Sequence, residues 1–309
     1  MILTVCPNPS IDCTIELDSL NVGMLNRIDN KVETYSGKAL NVAIGVARLG
    51  GDCITTGFMF DSHKELFERN LMVEGVMHRF VNVKGSARVN YKIIDKKSML
   101  TEINDVGEMV CPDKQSELLE TVKTLSEKAE IVVISGSLPK GVDSSYYNKL
   151  VRSVSGDKKV IIDAEKKNML SAIDKTEIYM AKPNLPELEA FSGMTVRTKK
   201  DMVKASRKYL DLGVQNVLVS LGREGALLTN GTSSYFCKSE SVAVNSTVGA
   251  GDSMISAVAV GLTQNADMPL LLKMAVAAGT AAVTTSGTNL FYKDKYEEIF
   301  AKISTQKII

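Results

Sequence analysis

Four short runs in the second half of the chain consist almost entirely of apolar residues, and each run leads into polar ones. Stretches of helical length separate these runs, which lie at 131–134, 160–162, 178–181 and 217–220. Strands that are apolar on both faces are typical of a parallel sheet with helices on both sides. The pattern therefore predicts an α/β fold with a doubly wound, mostly parallel sheet. The polar residues at the strand ends then meet along one edge, where such sheets bind ligands.

The first hundred residues contain a different pattern, in which polar and apolar residues alternate. The alternating segments are 14–17, 27–33, 87–94 and 98–103. Alternation predicts strands with one polar face, and the last two segments flank a short turn, which predicts a hairpin. We expect strands within about 12–35 and 86–104 to form one small β-sheet outside the main body, which we call the lid. No repeat or low-complexity linker divides the chain, so we expect a single domain over 1–309.

The remaining elements follow from short-range signals. We expect a buried strand at 2–5, a helix ending at the Gly50-Gly51 pair, a strand at 54–60, a helix at 61–73, and a hairpin of 226–229 and 234–237 at the far edge of the large sheet. The apolar tract 254–283 is interrupted by polar residues, which predicts two buried helices rather than a membrane span.

Composition limits the class of partner. The 309 residues include 37 Lys+Arg and 36 Asp+Glu, so no excess charge attracts nucleic acid or a membrane surface. Five scattered cysteines without a CxxC spacing argue against a disulfide framework and predict a reducing, cytoplasmic location. The two histidines have no ligand-like spacing, which argues against zinc. We expect a soluble protein with a small-molecule partner.

The segment 247–253 has the sequence TVGAGDS and precedes an apolar helical run. Its glycines, Gly249 and Gly251, allow a sharp turn, and the free N–H groups at the start of the helix form an anion site. Asp252 would repel that anion unless it takes a proton from an incoming hydroxyl, a combination that fits phosphoryl transfer to an alcohol. The segment alone also allows a helix N-terminus capped by aspartate.

Other polar residues stand near predicted element ends. Asp12 follows the first strand, where a carboxylate accepts hydrogen bonds from ligand hydroxyls, although a turn residue is the alternative. Gly37 and Lys38 open a predicted helix, with Asn41 one turn further on, and present donors to an anion or to sugar hydroxyls. This segment is not a Walker loop, because its consensus occurs nowhere in the chain. Arg88 lies on the predicted hairpin, and its alternative role is a solvated edge charge.

Six motifs, taken in order, resemble those of the ribokinase-like (PfkB-type) carbohydrate kinases along essentially the whole chain. They are Asn-Pro-Ser-Ile-Asp at 8–12, Gly37-Lys38 with Asn41, Ser-Gly-Ser-Leu-Pro at 135–139, Lys-Pro-Asn at 182–184 with Glu187, Ser-Leu-Gly at 220–222 with Gly225, and 247–252. The chain start and residues 88–90 and 247–254 are most similar to the 1-phosphofructokinase branch, and the tagatose-6-phosphate kinases share most of the pattern. The resemblance implies Mg-ATP as phosphoryl donor and a β-lid that often forms a homodimer interface.

The resemblance also implies roles for individual residues. Asp252 matches the base, and the N–H groups of Gly249, Ala250, Gly251 and Asp252 match the anion hole. The positions that match the sugar site are Asp12, Gly37, Lys38, Asn41, Asn90 and Ser137, and Arg88 with Arg27 suits a phosphate on the sugar. The positions on the ATP side are Asn184, Ser220, Gly222, Gly225, Thr247, Gly249 and Gly251. Glu187 matches a glutamate that acts on Mg²⁺ through water.

One departure from the family pattern concerns the sugar site. The family has Gly-Gly-Lys-Gly where this chain has Ser36-Gly37-Lys38-Ala39. If the last position requires a positive φ, Ala39 is strained there and its Cβ crowds the sugar. The departure puts the acceptor and the catalytic efficiency in question more than the fold.

The main hypothesis is ATP-dependent phosphorylation of the free primary hydroxyl of a phosphorylated ketohexose, from fructose 1-phosphate to fructose 1,6-bisphosphate. Tagatose 6-phosphate is the alternative acceptor. An alternative of another class is a catalytically silent regulator that binds sugar or nucleotide, against which the presence of Asp252 argues. A nicotinamide oxidoreductase is disfavoured, because no GxGxxG follows the first strand.

Overall fold

The computed structural model describes residues 1–97, 99–285 and 290–308. Its strands are β1 (Ile2–Cys6), β2 (Ser10–Leu17), β3 (Asn30–Ser36), β4 (Cys53–Phe60), β5 (Met77–His78), β6 (Val81–Val83), β7 (Arg88–Asp95), β8 (Leu100–Asn104), β9 (Ile131–Ser135), β10 (Lys159–Asp163), β11 (Ile178–Ala181), β12 (Val214–Ser220), β13 (Ala226–Thr229), β14 (Ser234–Cys237) and β15 (Thr305–Lys307). Its α-helices are α1 (Lys38–Arg48), α2 (Lys64–Val73), α3 (Pro112–Ser126), α4 (Ser145–Ser153), α5 (Lys166–Ala172), α6 (Leu185–Ser192), α7 (Lys199–Leu210), α8 (Ala250–Thr263), α9 (Met268–Ala282) and α10 (Lys293–Lys302).

Within the described residues, eleven strands form the large sheet, in the order β15-β14-β13-β12-β11-β10-β9-β1-β4-β5, with β6 also paired to β4. The pairs from β5 to β12 are parallel, and those from β12 to β15 are antiparallel. Every residue of β1 and β9 is buried, as the apolar runs predicted for strands covered on both faces. The predicted α/β architecture is therefore confirmed.

The predicted hairpin of 226–229 and 234–237 is present, but its expected place at the far edge of the sheet is wrong. The short strand β15 pairs with β14 and forms that edge instead, with Tyr235 opposite Lys307. The sequence of β15, Thr-Gln-Lys, is polar and mostly exposed, so no hydrophobic alternation marks it as a strand.

In the part of the chain that the structure describes, four strands form the separate small sheet, in the order β3-β2-β7-β8. The predicted hairpin is present as β7 and β8, and Ser98, which the prediction included, lies outside the described residues. Asp12 follows the first strand, as predicted, but the alternative that it is a turn residue is wrong. It is the third residue of β2 and pairs with Asn90 of β7, so it belongs to the lid. The loop at Pro7 is short enough for the chain to enter the lid directly from the main sheet.

Two buried helices occupy the apolar tract 254–283, as predicted. They are α8 and α9, which pack against each other, and α1 packs against α8. The Ser256 hydroxyl of α8 donates to the carbonyl of Val42 in α1 at 3.0 Å, which fixes the two helices against each other at their N-terminal halves. None of the helices in the described ranges is both long and apolar enough to cross a bilayer. All five cysteines are free.

Candidate active site

The carboxylate of Asp163, the last residue of β10, joins two lysines from different elements. Its Oδ2 lies 3.2 Å from Lys38 Nζ at the start of α1, and its Oδ1 lies 3.6 Å from Lys182 Nζ just after β11. Burial alone would raise the pKa of Asp163, but Lys182 and Lys38 hold it below its ordinary value. The ends of parallel strands and the N-terminus of α1 thus converge on one buried ionic cluster, as expected for this edge of the sheet.

Asp252 lies beside this cluster, in the first turn of α8, and is buried. Burial raises its pKa to about 6, because a desolvated carboxylate is disfavoured. Lys38 opposes that rise, and so does a hydrogen bond of 2.8 Å from Asn41 Nδ2 to Asp252 Oδ2. A carboxyl group with a pKa about one unit below neutral pH is mainly ionised there and still basic enough to accept a proton.

The turn before Asp252 exposes backbone donors. Gly249, the N-cap of α8, has a φ of 78°, a left-handed conformation that favours glycine. Within the described part of the chain no side chain caps this helix, so the N–H groups of its first turn, at Gly249, Ala250 and Gly251, lack an intrahelical partner. A Cβ on Gly251 would lie 3.0 Å from Lys182 Nζ, so glycine lets that ammonium group approach the turn. Donors and positive charge therefore surround the same point.

Lys38 reinforces the positive side of the site. Asp163 raises the pKa of Lys38, with further contributions from Asp252 and Glu187. Its side chain is 46% exposed, so the ammonium group is held by Asp163 and still accessible to a ligand. Gly37 directly precedes α1 and brings Lys38 to this position.

The two residues that depart from the family motif have separate places. The buried Ser36 hydroxyl donates to Asn41 Oδ1 at 3.1 Å, which directs the Asn41 amide group towards Asp252. Ala39 lies inside α1, has no positive φ and is completely buried. The expectation that Ala39 is strained or crowds the sugar is therefore wrong, because the helix begins one residue before it.

The inner face of the lid carries a second polar cluster. Asp12 Oδ1 accepts hydrogen bonds from Ser10 Oγ and Asn90 Nδ2, both at 3.1 Å. Asp12 Oδ2 pairs with Lys92 Nζ at 2.9 Å, and both side chains are 8% exposed. Three donors thus fix a carboxylate on a surface that the sequence indicated only through Asp12 and Asn90.

Next to this cluster, several buried polar atoms have no hydrogen-bond partner among the described residues. They are Arg88 Nε, Asn8 Oδ1 and Asn90 Oδ1. The Arg88 guanidinium also donates to the carbonyl of Asn8 at 3.3 Å, and Asn8 Nδ2 donates to Ser137 Oγ at 3.2 Å, so these two bonds link Arg88, Asn8 and Ser137. Unpartnered buried donors and acceptors in one place indicate a site for a polar ligand.

The structure does not bring Arg27 to this group. Arg27 is exposed in the loop between β2 and β3, beyond Glu16 and Asn30, whereas Asp12 is near the opposite end of β2. The pairing of Arg27 with Arg88 around one phosphate therefore has no support within this chain.

The residues predicted for the nucleotide follow β11 and β12. Asn184 and Glu187 form a capping box at the start of α6, in which Asn184 Oδ1 accepts from the Glu187 N–H at 2.9 Å and Glu187 Oε2 accepts from the Asn184 N–H at 2.8 Å. This gives both residues a structural role. Glu187 Oε1 remains outside the box.

The two glycines after β12 differ in their surroundings. A Cβ on Gly225, whose φ is 104°, would collide with the Cys237 carbonyl, so glycine is required there by packing. A Cβ on Gly222 would meet nothing within 4 Å, which leaves open space in front of the loop. Ser220 ends β12 and donates its N–H to the Pro183 carbonyl at 3.0 Å. Thr247 is exposed in the segment before α8.

Sequence reasoning missed three charged residues of these clusters. Lys182 was noted only as the first residue of the Lys-Pro-Asn motif, and Asp163 and Lys92 were not singled out. Their position at or just after predicted buried strands was the available signal for the first two. For Lys92 the signal was its alternation with Arg88 and Asn90, which places all three on one face of β7.

The comparisons with known proteins agree with this geometry. A family model described as pfkB family carbohydrate kinase matches residues 8–295. The chain is 27% identical to the 1-phosphofructokinase of Vibrio cholerae over 308 residues, covering 99% of this chain and 97% of the relative. It is 32% identical to the 1-phosphofructokinase of Haloferax volcanii over 291 residues, covering 94% and 93%.

Among solved structures, phosphofructokinase-2 from Escherichia coli in complex with fructose-6-phosphate matches with a TM-score of 0.89 and 28% identity, covering 97% of this chain and 98% of that one. The predicted fold family and the predicted class of enzyme, an ATP-dependent sugar-phosphate kinase, are confirmed. The chain belongs to the pfkB family of carbohydrate kinases.

Proposed function

We propose that the protein transfers the γ-phosphoryl group of ATP to the free primary hydroxyl of fructose 1-phosphate, with Asp252 as the general base. The observation that carries the assignment of the base is the place of Asp252. It is a buried carboxyl group with a pKa of about 6, in the first turn of α8, and Lys38 and Lys182 lie close enough to lower that pKa. No hydroxyl nucleophile of the protein is needed, because the acceptor supplies it.

The reaction follows from this arrangement. The C6 hydroxyl oxygen of the sugar attacks the γ-phosphorus while Asp252 takes the hydroxyl proton. The bond between the γ-phosphorus and the bridging oxygen of ATP breaks, and ADP leaves with that oxygen. The N–H groups of Gly249 to Gly251 and the ammonium groups of Lys38 and Lys182 offset the charge on the transferring group.

The residues present fit a Mg²⁺ ion whose ligands would be mainly water molecules and ATP oxygens. The described residues contain no cluster of three acidic, histidine or cysteine side chains that would hold a metal by themselves. Glu187 Oε1 is outside the capping box, and Glu187 is close enough to Lys38 to raise its pKa. Magnesium in kinases uses few carboxylates and keeps several waters, and when bound it neutralises charge on the β- and γ-phosphates. Glu187 is the residue that would orient its water shell.

The lid side supplies the contacts for the acceptor. Arg88 Nε is an unpartnered donor, and Asn8 Oδ1 and Asn90 Oδ1 are unpartnered acceptors, which suits a ligand with both a phosphate and hydroxyl groups. The curated relatives named above are 1-phosphofructokinases, which favours fructose 1-phosphate over tagatose 6-phosphate. Asn184, Ser220, Gly222 and Thr247 are proposed to line the nucleotide side.

ADP formation measured over a panel of sugars and sugar phosphates tests the proposal. We expect turnover with fructose 1-phosphate above that with tagatose 6-phosphate and fructose 6-phosphate, and little with free fructose. Asp252→Asn should lower kcat by about 10²- to 10⁴-fold while ATP still binds. A matched control is Asp143→Asn, an exposed aspartate that caps the α4 region, which should leave kcat unchanged. No turnover with any acceptor would favour the silent regulator instead.

We also propose that two copies of the single domain associate through the lid. Several apolar side chains of the lid and of its β2–β3 loop are exposed, and they are Val22, Met24, Leu25, Ile28, Leu100 and Ile103. Exposed apolar side chains favour association with another surface, and a second copy would cover both lids at once. Leu25→Glu should convert a dimer into a monomer in analytical ultracentrifugation, and a wild-type monomer at micromolar concentration would refute the proposal.

A further inference from the structure

The lid contains a buried lysine for which the proposed reaction has no direct use. Lys92 is the fifth residue of β7, and its side chain is 8% exposed. Its cross-strand neighbour on β8 is Glu102, an exposed carboxylate. The Lys92 ammonium group nevertheless pairs with Asp12, at 2.9 Å, on the inner side of the lid. Burying an ammonium group costs hydration free energy, so a buried pair in a binding site calls for a functional explanation.

The ion pair of Asp12 with Lys92 changes the net charge next to Arg88. Asp12 and Lys92 form an ion pair, so the negative charge of Asp12 beside Arg88 is compensated. Burial lowers the pKa of Arg88, and Asp12 is among the charges that oppose this, which places Asp12 within electrostatic range of the guanidinium. Without the positive charge of the Lys92 side chain, Asp12 would be an uncompensated buried carboxylate near any phosphate that Arg88 binds.

We infer that Lys92 is a specificity-determining residue, which makes the site select sugars that already carry a phosphate by neutralising Asp12. The inference rests on the proposed function, in that Arg88 binds the phosphate of the acceptor. Lys92 acts through Asp12 rather than through direct contact with the phosphate. Asp12 then keeps its place for sugar hydroxyls, held by Ser10 and Asn90, without repelling the phosphate nearby.

The test uses Lys92→Met, in which the side chain is unbranched and of similar length but carries no charge. Binding of fructose 1-phosphate and of inorganic phosphate, measured calorimetrically on the full chain, should weaken by about 10- to 100-fold. The KM for ATP should stay unchanged, and the ratio of kcat/KM for fructose 1-phosphate to that for fructose should fall. The matched control is Lys31→Met. Lys31 is an exposed lysine of the same lid that pairs with Glu33, so its substitution should leave phosphate binding and the kcat/KM ratio unaltered.

Two further variants separate selectivity from a structural role. Lys92→Arg keeps the charge and should keep the preference for the phosphorylated sugar. Asp12→Asn combined with Lys92→Met removes both charges and should recover part of the phosphate binding lost in Lys92→Met alone. Equal losses for fructose 1-phosphate and fructose in Lys92→Met, or a double variant that binds phosphate more weakly still, would overturn the inference.

The calorimetric measurement also distinguishes the two proposals. Wild-type protein that binds fructose 1-phosphate better than fructose but does not phosphorylate it would refute the proposed function, and the Lys92 variants would still test the inference. Wild-type protein that binds both sugars equally would overturn the inference even if it phosphorylates them.

Discussion

Replacing Asn41 by leucine should move the pH dependence of the enzyme in a direction that the structure fixes. Asn41 Nδ2 donates to Asp252 Oδ2 at 2.8 Å, and this bond lowers the pKa of Asp252, which burial raises to about 6. A hydrogen bond to a charged group contributes about 1.5–3 kcal/mol, and one pKa unit corresponds to about 1.36 kcal/mol. Leucine has the same branching at Cγ as asparagine, although it is larger, and it cannot donate a hydrogen bond. The pKa of Asp252 should therefore rise by about one to two units.

The assay is the pH profile of kcat/KM for the acceptor, which reports ionisations of the free enzyme. The base must be ionised, so wild-type activity should rise with pH through about 6. In Asn41→Leu the same limb should appear at about pH 7–8. Asn41 also matches a sugar position, so the height of the profile will fall too, and the position of the limb is the informative quantity.

Asn216→Leu is the control, because Asn216 is likewise buried but donates to the Tyr179 carbonyl. It should leave the limb near pH 6. A limb at the wild-type pH in Asn41→Leu would refute the link between Asn41 and the base, and a limb that moves equally in both variants would show a general effect of packing.

Three further predictions concern Asp252 and the residues around it. Burial raises the pKa of Asp252 above its value in the unfolded chain, so its ionisation opposes folding as the pH rises through about 6. Asp252→Asn should then raise the free energy of unfolding in urea by about 1–3 kcal/mol at pH 8 and leave it unchanged below pH 4, whereas an equal gain at both pH values would contradict this. Ser36→Gly should shift the rising limb of the kcat/KM profile to higher pH by less than one unit, because it removes the hydrogen bond that orients Asn41 but keeps the Asn41 amide. A shift as large as that of Asn41→Leu would contradict the role of Ser36 in orienting Asn41. Gly251→Ala should lower kcat by about 10-fold or more, because the new Cβ lies 3.0 Å from Lys182 Nζ, and an unchanged kcat would place Lys182 outside the reaction.

The parts of the fold that could be predicted are those that local pattern determines. An apolar run of strand length specifies a strand covered on both faces, and alternation specifies one with a polar face, so the large sheet and the lid were both accessible from the sequence. β15 could not be predicted, because three polar residues carry no hydrophobic pattern and pair only through their backbone with β14.

The candidate site could be predicted only as far as single residues. Asp252, Lys38 and Asn41 occur in motifs at element starts, which suggested their roles. The ion pair of Asp12 with Lys92 joins residues 80 positions apart in the sequence, and depends on the parallel register of β2 and β7. Side-chain pairing of this kind follows from tertiary structure, which single-sequence patterns do not encode.

The role of Ser36 also could not be predicted from the sequence. Its difference from the family glycine suggested a change at the sugar, but its hydroxyl donates to Asn41 Oδ1 and thereby orients the amide towards the base. The expected strain at Ala39 was wrong for a related reason, because the residue lies within α1 rather than in the loop before it.

³¹P NMR of the complete reaction tests whether this chain phosphorylates fructose 1-phosphate with Asp252 as the base. With ATP, Mg²⁺ and fructose 1-phosphate, we expect the wild-type protein to form equal amounts of ADP and of a new phosphate ester at C6, and Asp252→Asn to form neither at a comparable rate. ADP formed with inorganic phosphate alone, or the new ester formed by Asp252→Asn at the wild-type rate, would contradict it.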